Sequence, residues 1–274
     1  MIREALDARA RQRAEAEARV TFARAGARTE PQNLFETGGL RCRFPRASAP
    51  CEAVLINTGG GVAGGDSYRT ALTLEAGAEV EATTATAEKI YRSDGPCARI
   101  ATSLTLGPGA RLSWLPQETI LFDAARLDRT LTIEMAADAE LVAVETLVFG
   151  RLAMGEERID ASLRDSWRLS RAGRLVFADA SRLDRAGFTL DRLAVGAGAR
   201  AVATILTAAP NAEARLPDLR AALDAFGADV DAGASAFDGL VASRLLSTSP
   251  SRLREAVIGA IVRLSGRDPP RLWR

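Results

Sequence analysis

Several carboxylates of this sequence lie inside or at the edge of strongly apolar segments. Glu145 interrupts the apolar stretch 141–149, and Asp123 directly follows the apolar residues 120–122. Removing a carboxylate from water is costly unless a positive charge or a metal ion compensates it. The pattern therefore predicts either paired structural ions or, alternatively, a polar channel or a weak cation site, and these interpretations remain open at this point.

The complete absence of histidine limits what these carboxylates can do. Histidine is the commonest general base and the commonest metal ligand in proteins. A Ser-His-Asp or Cys-His catalytic arrangement is therefore excluded. Any metal ion must be held by carboxylates, thiolates or backbone carbonyls.

A glycine-rich stretch directly precedes Asp66. Glycine density of this kind indicates positive φ angles or close backbone approach, as in a phosphate-binding loop, a tight corner between strands, or a flexible linker. The apolar residues 54–56 before it disfavour a linker. The G-x-G-x-x-G spacing is present, but the alternating residues 72–74 follow where a dinucleotide-binding motif needs a helix. We therefore predict a strand-to-strand corner built on five glycines, which are Gly59, Gly60, Gly61, Gly64 and Gly65.

Residues 83–93 contain the only lysine of the chain, Lys89, next to Glu88 and shortly before Tyr91 and Arg92. A single lysine among many arginines is compatible with chance. The functional alternative is that this position needs a compact ammonium group rather than a guanidinium fork. Its partner would then be Glu88 or Asp66.

A strand-corner-strand pattern recurs along the middle of the chain. It is clear at 72–80, 104–112 and 131–141, and a weaker copy occupies 193–201. Repeated units of this kind predict stacked sheets in which each unit covers the apolar face of its neighbour. The irregular spacing leaves a β-sandwich of hairpins as an alternative. We predict a mainly β, β-helix-like fold with a few α-helices, mostly in the C-terminal third.

Helical spacing dominates after about residue 210. It predicts helices over 216–226 and 237–245, and a third from an N-cap at Ser249 to a stop at Gly266. The apolar stripe of the third helix either packs on its own sheet or binds a partner protein. The tail 267–274, with Trp273, is a candidate docking peptide, so the predicted partner-binding residues are Leu253, Val257, Ile261 and Trp273.

The length allows one large domain or two. We predict a single domain over residues 20–274, β-rich to about 210, after a helical or frayed extension at 1–19. The formal net charge of +1 disfavours nucleic-acid binding. Three cysteines without a C-x-x-C pair fit a reducing compartment. Because neither a secretory signal nor a membrane anchor is recognisable, we predict a cytoplasmic protein.

Four segments together resemble the urease accessory protein family called UreD, or UreH in some bacteria. The order and spacing of these segments match that family, and residues 175–180 add a fifth similarity. The resemblance extends over roughly 20–210, and the four segments that carry it are 57–66, 83–93, 114–123 and 145–156.

The resemblance implies a non-enzymatic cytoplasmic chaperone for nickel insertion into apo-urease. It implies a complex with a helical UreF-type protein and a UreG-type GTPase, as part of a dimeric hetero-oligomer. No catalytic residue and no tightly bound cofactor are expected, only transient nickel(II). Weak oxygen ligands suit an ion that must leave again, and the candidates for its path are Asp66, Glu88, Asp123, Glu145 and Asp179.

Two other functions remain open. A β-solenoid enzyme acting on acidic polysaccharide would use clustered carboxylates as acid and base. The aromatic content of 5% is poor for stacking sugars, and no secretion signal is recognisable. The second alternative is a structural adaptor without a metal role.

Overall fold

Strict alternation of buried and exposed residues produces long strands from the beginning of the described chain. The computed structural model describes residues 13–45 and 50–273. Its first strand buries Ala16, Ala18, Val20 and Phe22 on one side. The described residues form seventeen strands, which are β1 Glu15–Ala25, β2 Arg28–Thr37, β3 Leu40–Arg43, β4 Cys51–Asn57, β5 Ser67–Leu74, β6 Glu79–Thr84, β7 Glu88–Ile90, β8 Ala98–Leu106, β9 Arg111–Leu115, β10 Thr119–Leu121, β11 Arg126–Met135, β12 Glu140–Phe149, β13 Ser162–Arg171, β14 Arg174–Leu183, β15 Ala201–Ala208, β16 Asp231–Phe237 and β17 Leu240–Ser247.

These strands form two stacked sheets. The first sheet has the order β14-β13-β11-β8-β5-β1-β2, and its inner strands are parallel. The second sheet runs β16-β17-β15-β12-β9-β6-β4-β3, with β10 beside β12 and β7 beside β10. The inward faces of the two sheets share one apolar core. This arrangement confirms the predicted mainly β, stacked-sheet fold.

The repeating unit is the one that the sequence predicts. β5, β8 and β11 in the first sheet each turn through a short corner into β6, β9 and β12 in the second. Gly77 and Gly109 take left-handed φ angles of 68° and 62° at two of these corners. A longer connection then returns the chain to the first sheet, so the long loops gather along one side of the stack.

Two of the three helices of the described residues, α2 and α3, cover part of the second sheet from outside. The helices are α1 Ala186–Leu190, α2 Leu216–Asp224 and α3 Pro250–Ser265, with 3₁₀ turns at Leu152–Met154, Ala212–Arg215, Gly227–Asp229 and Arg271–Trp273. α3 begins and ends as predicted, because the Ser249 side chain accepts a hydrogen bond from the Arg252 amide and Gly266 is left-handed. A second apolar core lies between α2, α3 and the second sheet, whereas Ala186 and Leu190 of α1 belong to the core between the two sheets.

Two predicted elements are wrong. The expected helix 237–245 is the hairpin of β16 and β17, because pairing with β15 satisfies the backbone of this segment. The apolar residues of this segment fit both a helical and a strand periodicity, so its pairing with β15 decides which structure forms. The expected fourth repeat at 193–201 is a series of turns, and only Ala201 begins a strand.

The N-terminal boundary also differs from the prediction. β1 begins at Glu15, within the expected extension 1–19, because its alternating apolar residues pair with β5. Residues 1–12 of that extension lie outside the described residues. Cys42, Cys51 and Cys97 are all free thiols.

The predicted docking residues are part of the chain's own core. Leu253, Val257 and Ile261 are completely buried, and Trp273 is 2% exposed. The Trp273 indole nitrogen donates to the Leu115 carbonyl at 3.0 Å. The prediction that these four side chains dock a partner is therefore wrong for the folded chain, because the apolar stripe packs on its own sheet.

Adjacent residues of α3 provide a test of this packing. Ile261 is completely buried, whereas Val262 on the same turn is 36% exposed. We expect Ile261→Ala to lower the free energy of unfolding by about 3 kcal/mol through lost burial and a residual cavity. Urea denaturation measures this loss.

Val262→Ala is the matched control and should cost less than about 1 kcal/mol. Equal losses for the two variants would contradict the assigned orientation of α3.

Candidate functional site

The glycine-rich stretch forms the connection between β4 and β5. The Val62 amide donates to the Lys89 carbonyl at 2.8 Å, and the Tyr91 amide donates to the Val62 carbonyl at 2.9 Å. A Cβ atom at Gly61 would lie 2.5 Å from the Tyr91 ring, and one at Gly64 would lie 2.1 Å from the Ser93 hydroxyl. The glycines therefore permit the close backbone approach that the sequence predicts.

Asp66 stabilises this connection. Its Oδ1 accepts a hydrogen bond from the Ala14 amide and its Oδ2 accepts one from the Ala63 amide, each at 2.8 Å. The side chain is buried. Asp66 therefore fastens the N-terminal strand to the glycine corner, and it is not among the residues lining the cavity described next.

A cavity of about 140 Å³ lies between the two sheets, and we call it the interlayer cavity. Both sheets contribute side chains to it, and most of the polar ones are hydroxyls or amides. The polar residues lining it are Asn57, Tyr68, Thr70, Thr84, Thr86, Thr102, Gln117 and Thr119, and the charged ones are Glu88, Lys89, Arg129 and Glu145. Two of the five predicted path carboxylates, Glu88 and Glu145, thus share one cavity.

Glu88 is held in place by its neighbours. The Asn57 side-chain amide donates to both carboxylate oxygens at 3.1 Å, and the Lys89 backbone amide donates to Oε1 at 3.1 Å. Burial raises the pKa of Glu88, while these hydrogen bonds and the Lys89 charge act in the opposite direction. Lys89 therefore acts on Glu88 through its backbone amide and its charge, while the pairing of its ammonium group with Glu88 or Asp66 stays a prediction.

Glu145 belongs to a buried triad with Arg129 and Asp165. Arg129 Nε and Nη2 donate to the two Asp165 oxygens at 3.0 and 2.8 Å, and Nη2 also lies 3.0 Å from Glu145 Oε2. The Trp114 indole nitrogen donates to Glu145 Oε1 at 3.4 Å. Two carboxylates thus surround one guanidinium, and burial raises the pKa of Glu145 to about 7 despite the attraction of Arg129.

Polar side chains also occupy β15 and β17, the strands that follow β12 towards the β16 edge of the second sheet. Strand register places Glu145 opposite Thr204, and Thr204 opposite Arg244. Arg244 Nη2 in turn contacts Asp179 Oδ2 on β14 of the first sheet at 2.5 Å. Asp179 therefore lies on the same inward layer as Glu145, as a structural ion pair.

Asp123 lies outside this layer. Its Oδ1 accepts a hydrogen bond from the Asp160 amide at 2.8 Å, and Oδ2 lies 3.8 Å from an Arg92 nitrogen. Its side chain is 41% exposed.

Tyr91, next to Arg92, stabilises the glycine corner, because its hydroxyl donates to the Gly60 carbonyl at 2.8 Å.

Arg129 and Asp165 were not predicted from the sequence, although a signal exists. Leu127, Leu131 and Ile133 are the buried positions of β11, and Arg129 occupies the same inward phase. Asp165 has the equivalent phase in β13. A charged residue at an inward position of an alternating strand is the sequence signal that identifies both Arg129 and Asp165.

Among the described residues, no group of three or more His, Cys, Asp or Glu is arranged to hold a metal ion.

The sequence model of the UreD urease accessory protein family matches residues 14–274. This chain belongs to the UreD family. A urease accessory protein UreD from Methylobacterium sp. (strain 4-46) is 51% identical over 255 residues, covering 91% of this chain and 90% of the relative. The urease accessory protein UreD of Beijerinckia indica subsp. indica is 48% identical, covering 95% of this chain and 97% of the relative.

Membership of this family supports a role in urease maturation. The matched residues include the whole interlayer cavity and the glycine corner. In the described part of this UreD-family chain, no helix is both long and apolar enough to cross a membrane.

The raised pKa of Glu145 predicts a pH dependence of stability. Its folded-state pKa of about 7 exceeds the ordinary value of 4.5, so the folded state binds this proton more tightly than the unfolded state. The stability linked to Glu145 is therefore complete at low pH and is lost as pH rises towards 7. Glu145→Gln removes this titration, so its unfolding free energy relative to the wild type should rise by ~2 kcal/mol from pH 5 to pH 8.

Urea denaturation of both proteins at the two pH values measures this difference. Asp123→Asn, a change at an exposed carboxylate, is the control. A constant difference between Glu145→Gln and the wild type across this range would show that Glu145 does not hold a proton in the folded state.

Proposed function

We propose that this chain is a urease maturation chaperone, a scaffold required for nickel insertion into apo-urease, and that the interlayer cavity is part of the ion's path. The observation that carries this proposal is the pairing of Glu88 and Glu145 in one oxygen-lined cavity. Membership of the UreD family supplies the connection to urease.

The lining of the cavity suits an ion that passes through rather than stays. Hydroxyl and amide oxygens can accept hydrogen bonds from the water bound to an ion, and carboxylates attract its charge. A cavity of about 140 Å³ has room for several waters, given that one water occupies ~30 Å³ in the liquid. Nickel(II) would therefore keep part of its hydration shell between Glu88 and Glu145.

The chain acts in this proposal without catalysing a reaction itself. It works in the cytoplasm with a UreF-type helical protein and a UreG-type GTPase, within a dimeric hetero-oligomer that contacts apo-urease. GTP hydrolysis belongs to the GTPase, which agrees with a glycine stretch that forms a strand connection instead of a phosphate-binding loop. Because the apolar stripe of α3 is buried, docking of these partners uses other surfaces.

Neutralising Glu88 tests the role of the cavity. Glu88→Gln keeps the size of the side chain and removes its charge, so we expect urease activation in nickel-supplemented cells to fall about tenfold, the effect of ~1.4 kcal/mol on passage of the ion. Urease activity and the nickel content of purified urease are the measurements. Co-purification of the variant with its partners must be unchanged.

Asp123→Asn is the matched control, since Asp123 lies outside the cavity, and it should activate urease normally. If Glu88→Gln also activates urease to wild-type nickel content, the cavity has no transit role. The structural-adaptor alternative would then be favoured.

A further inference from the structure

Arg129 occupies the position between the carboxylates of Asp165 and Glu145. The same nitrogen atom, Nη2, lies 2.8 Å from Asp165 Oδ2 and 3.0 Å from Glu145 Oε2. All three side chains are more than nine-tenths buried. Arg129 and Glu145 also line the interlayer cavity.

The two carboxylates are not equivalent partners of this guanidinium. Asp165 receives two hydrogen bonds in a bidentate arrangement. Glu145 Oε2 is completely buried and receives no hydrogen bond from the described residues, although it lies 3.0 Å from Nη2. Asp165 alone neutralises the charge of Arg129, so the Arg129–Asp165 pair does not require Glu145. The carboxylate of Glu145 can therefore attract a cation in the cavity.

Small movements would turn the pair into metal ligands. Carboxylate oxygens bind small divalent ions at about 2.0–2.2 Å, so each oxygen would have to move by about 1 Å towards the position of Nη2. The Thr119 hydroxyl, 3.5 Å from Arg129 Nη1, is a further oxygen donor beside this position. Water in the cavity could complete the coordination shell.

Charge decides which cation occupies the position. Arginine stays protonated at all physiological pH values, so its positive charge is permanent. Once Glu145 has lost its proton, it and Asp165 carry two negative charges. With Arg129 present one net negative charge is left for an incoming ion, and without Arg129 two are left, in a buried environment where Coulomb interactions are strong.

We infer that Arg129 is a resident counter-cation that prevents Asp165 and Glu145 from retaining a divalent metal ion in the interlayer cavity. It is a specificity-determining residue in this role, because it leaves the cavity attractive to a passing dication but unable to chelate one. The link to delivery rests on the proposed function, whereas the metal-excluding property is a feature of the isolated chain.

Equilibrium dialysis of the purified chain against NiCl2 tests this property. Arg129→Met removes the charge and keeps much of the apolar volume, and it should gain one nickel ion per chain, bound at least about a hundredfold more tightly than any site of the wild type. Arg129→Lys retains the charge and should gain none. The double variant Arg129→Met/Glu145→Gln should lose the gained site.

Arg244→Met is the matched control, since Asp179 provides the one carboxylate that Arg244 contacts within residues 13–45 and 50–273. Thermal melting with and without NiCl2 checks folding, and nickel should raise the melting temperature of Arg129→Met but not that of Arg129→Lys. Arg129→Gln, which still donates a hydrogen bond to Asp165, provides a second charge-free variant if Arg129→Met does not fold. The inference is overturned if the folded charge-free variants bind nickel no better than the wild type, or if the gain persists without Glu145.

A second readout separates this inference from the proposed function. In cells, Arg129→Met should lower urease activation while nickel accumulates on the accessory protein itself; a merely structural role would lower activation without that accumulation. If Glu88→Gln activates urease normally and Arg129→Met still captures nickel, the proposed transit role fails while the metal-excluding role of Arg129 stands.

Discussion

The burial of charged groups between two apolar sheet faces is the constraint on which the rest of this structure depends. Arg129, Asp165 and Glu145 come from β11, β13 and β12, so the triad forms only when all three strands have the correct register. A slip of one residue would turn Arg129 towards solvent and leave two carboxylates buried without a counter-charge. The charged layer therefore specifies the register of the stack in addition to the apolar pattern, and it places the interlayer cavity beside a fixed set of charges.

The glycine corner and the cavity both result from the way the chain passes alternately between the two sheets. Each long connection returns the chain from the second sheet to the first on one side of the stack, and the connection after β4 is the one that glycine makes tight. Asp66 fastens it from inside through two backbone amides. Asn57, the last residue of β4, is thereby fixed where its amide holds Glu88. The glycines contribute to this positioning, because the Gly59 amide donates to the Asn57 side-chain oxygen at 2.9 Å and Asn57 lines the cavity.

The sequence was sufficient to predict the repeating strands, the corners between them and the capped helix α3, because each depends on local periodicity and turn chemistry. It also pointed to Glu145, which interrupts an apolar stretch, and to Glu88, which lies beside the only lysine in a segment that resembles the UreD family. It could not assign their partners. The pairing of Arg129 with residues 16 and 36 positions away depends on how strands stack, and nothing local distinguishes Asp66, held by amides, from Glu145, held by a guanidinium. The hairpin of β16 and β17 was mistaken for a helix for the same reason, since its apolar spacing suits both and only the edge of β15 decides.

The buried C-terminal tail packs behind the wall of the interlayer cavity and is not a free docking peptide in the folded chain. β9 faces both cores, with Trp114 pointing inward to Glu145 and the Leu115 carbonyl bound by Trp273 from outside. Arg254 of α3 connects the same region, because it contacts Glu118 at 2.6 Å and donates to the Trp273 carbonyl at 2.9 Å. Glu118 follows Gln117, which lines the cavity. The helical layer thus supports the wall of the interlayer cavity from behind.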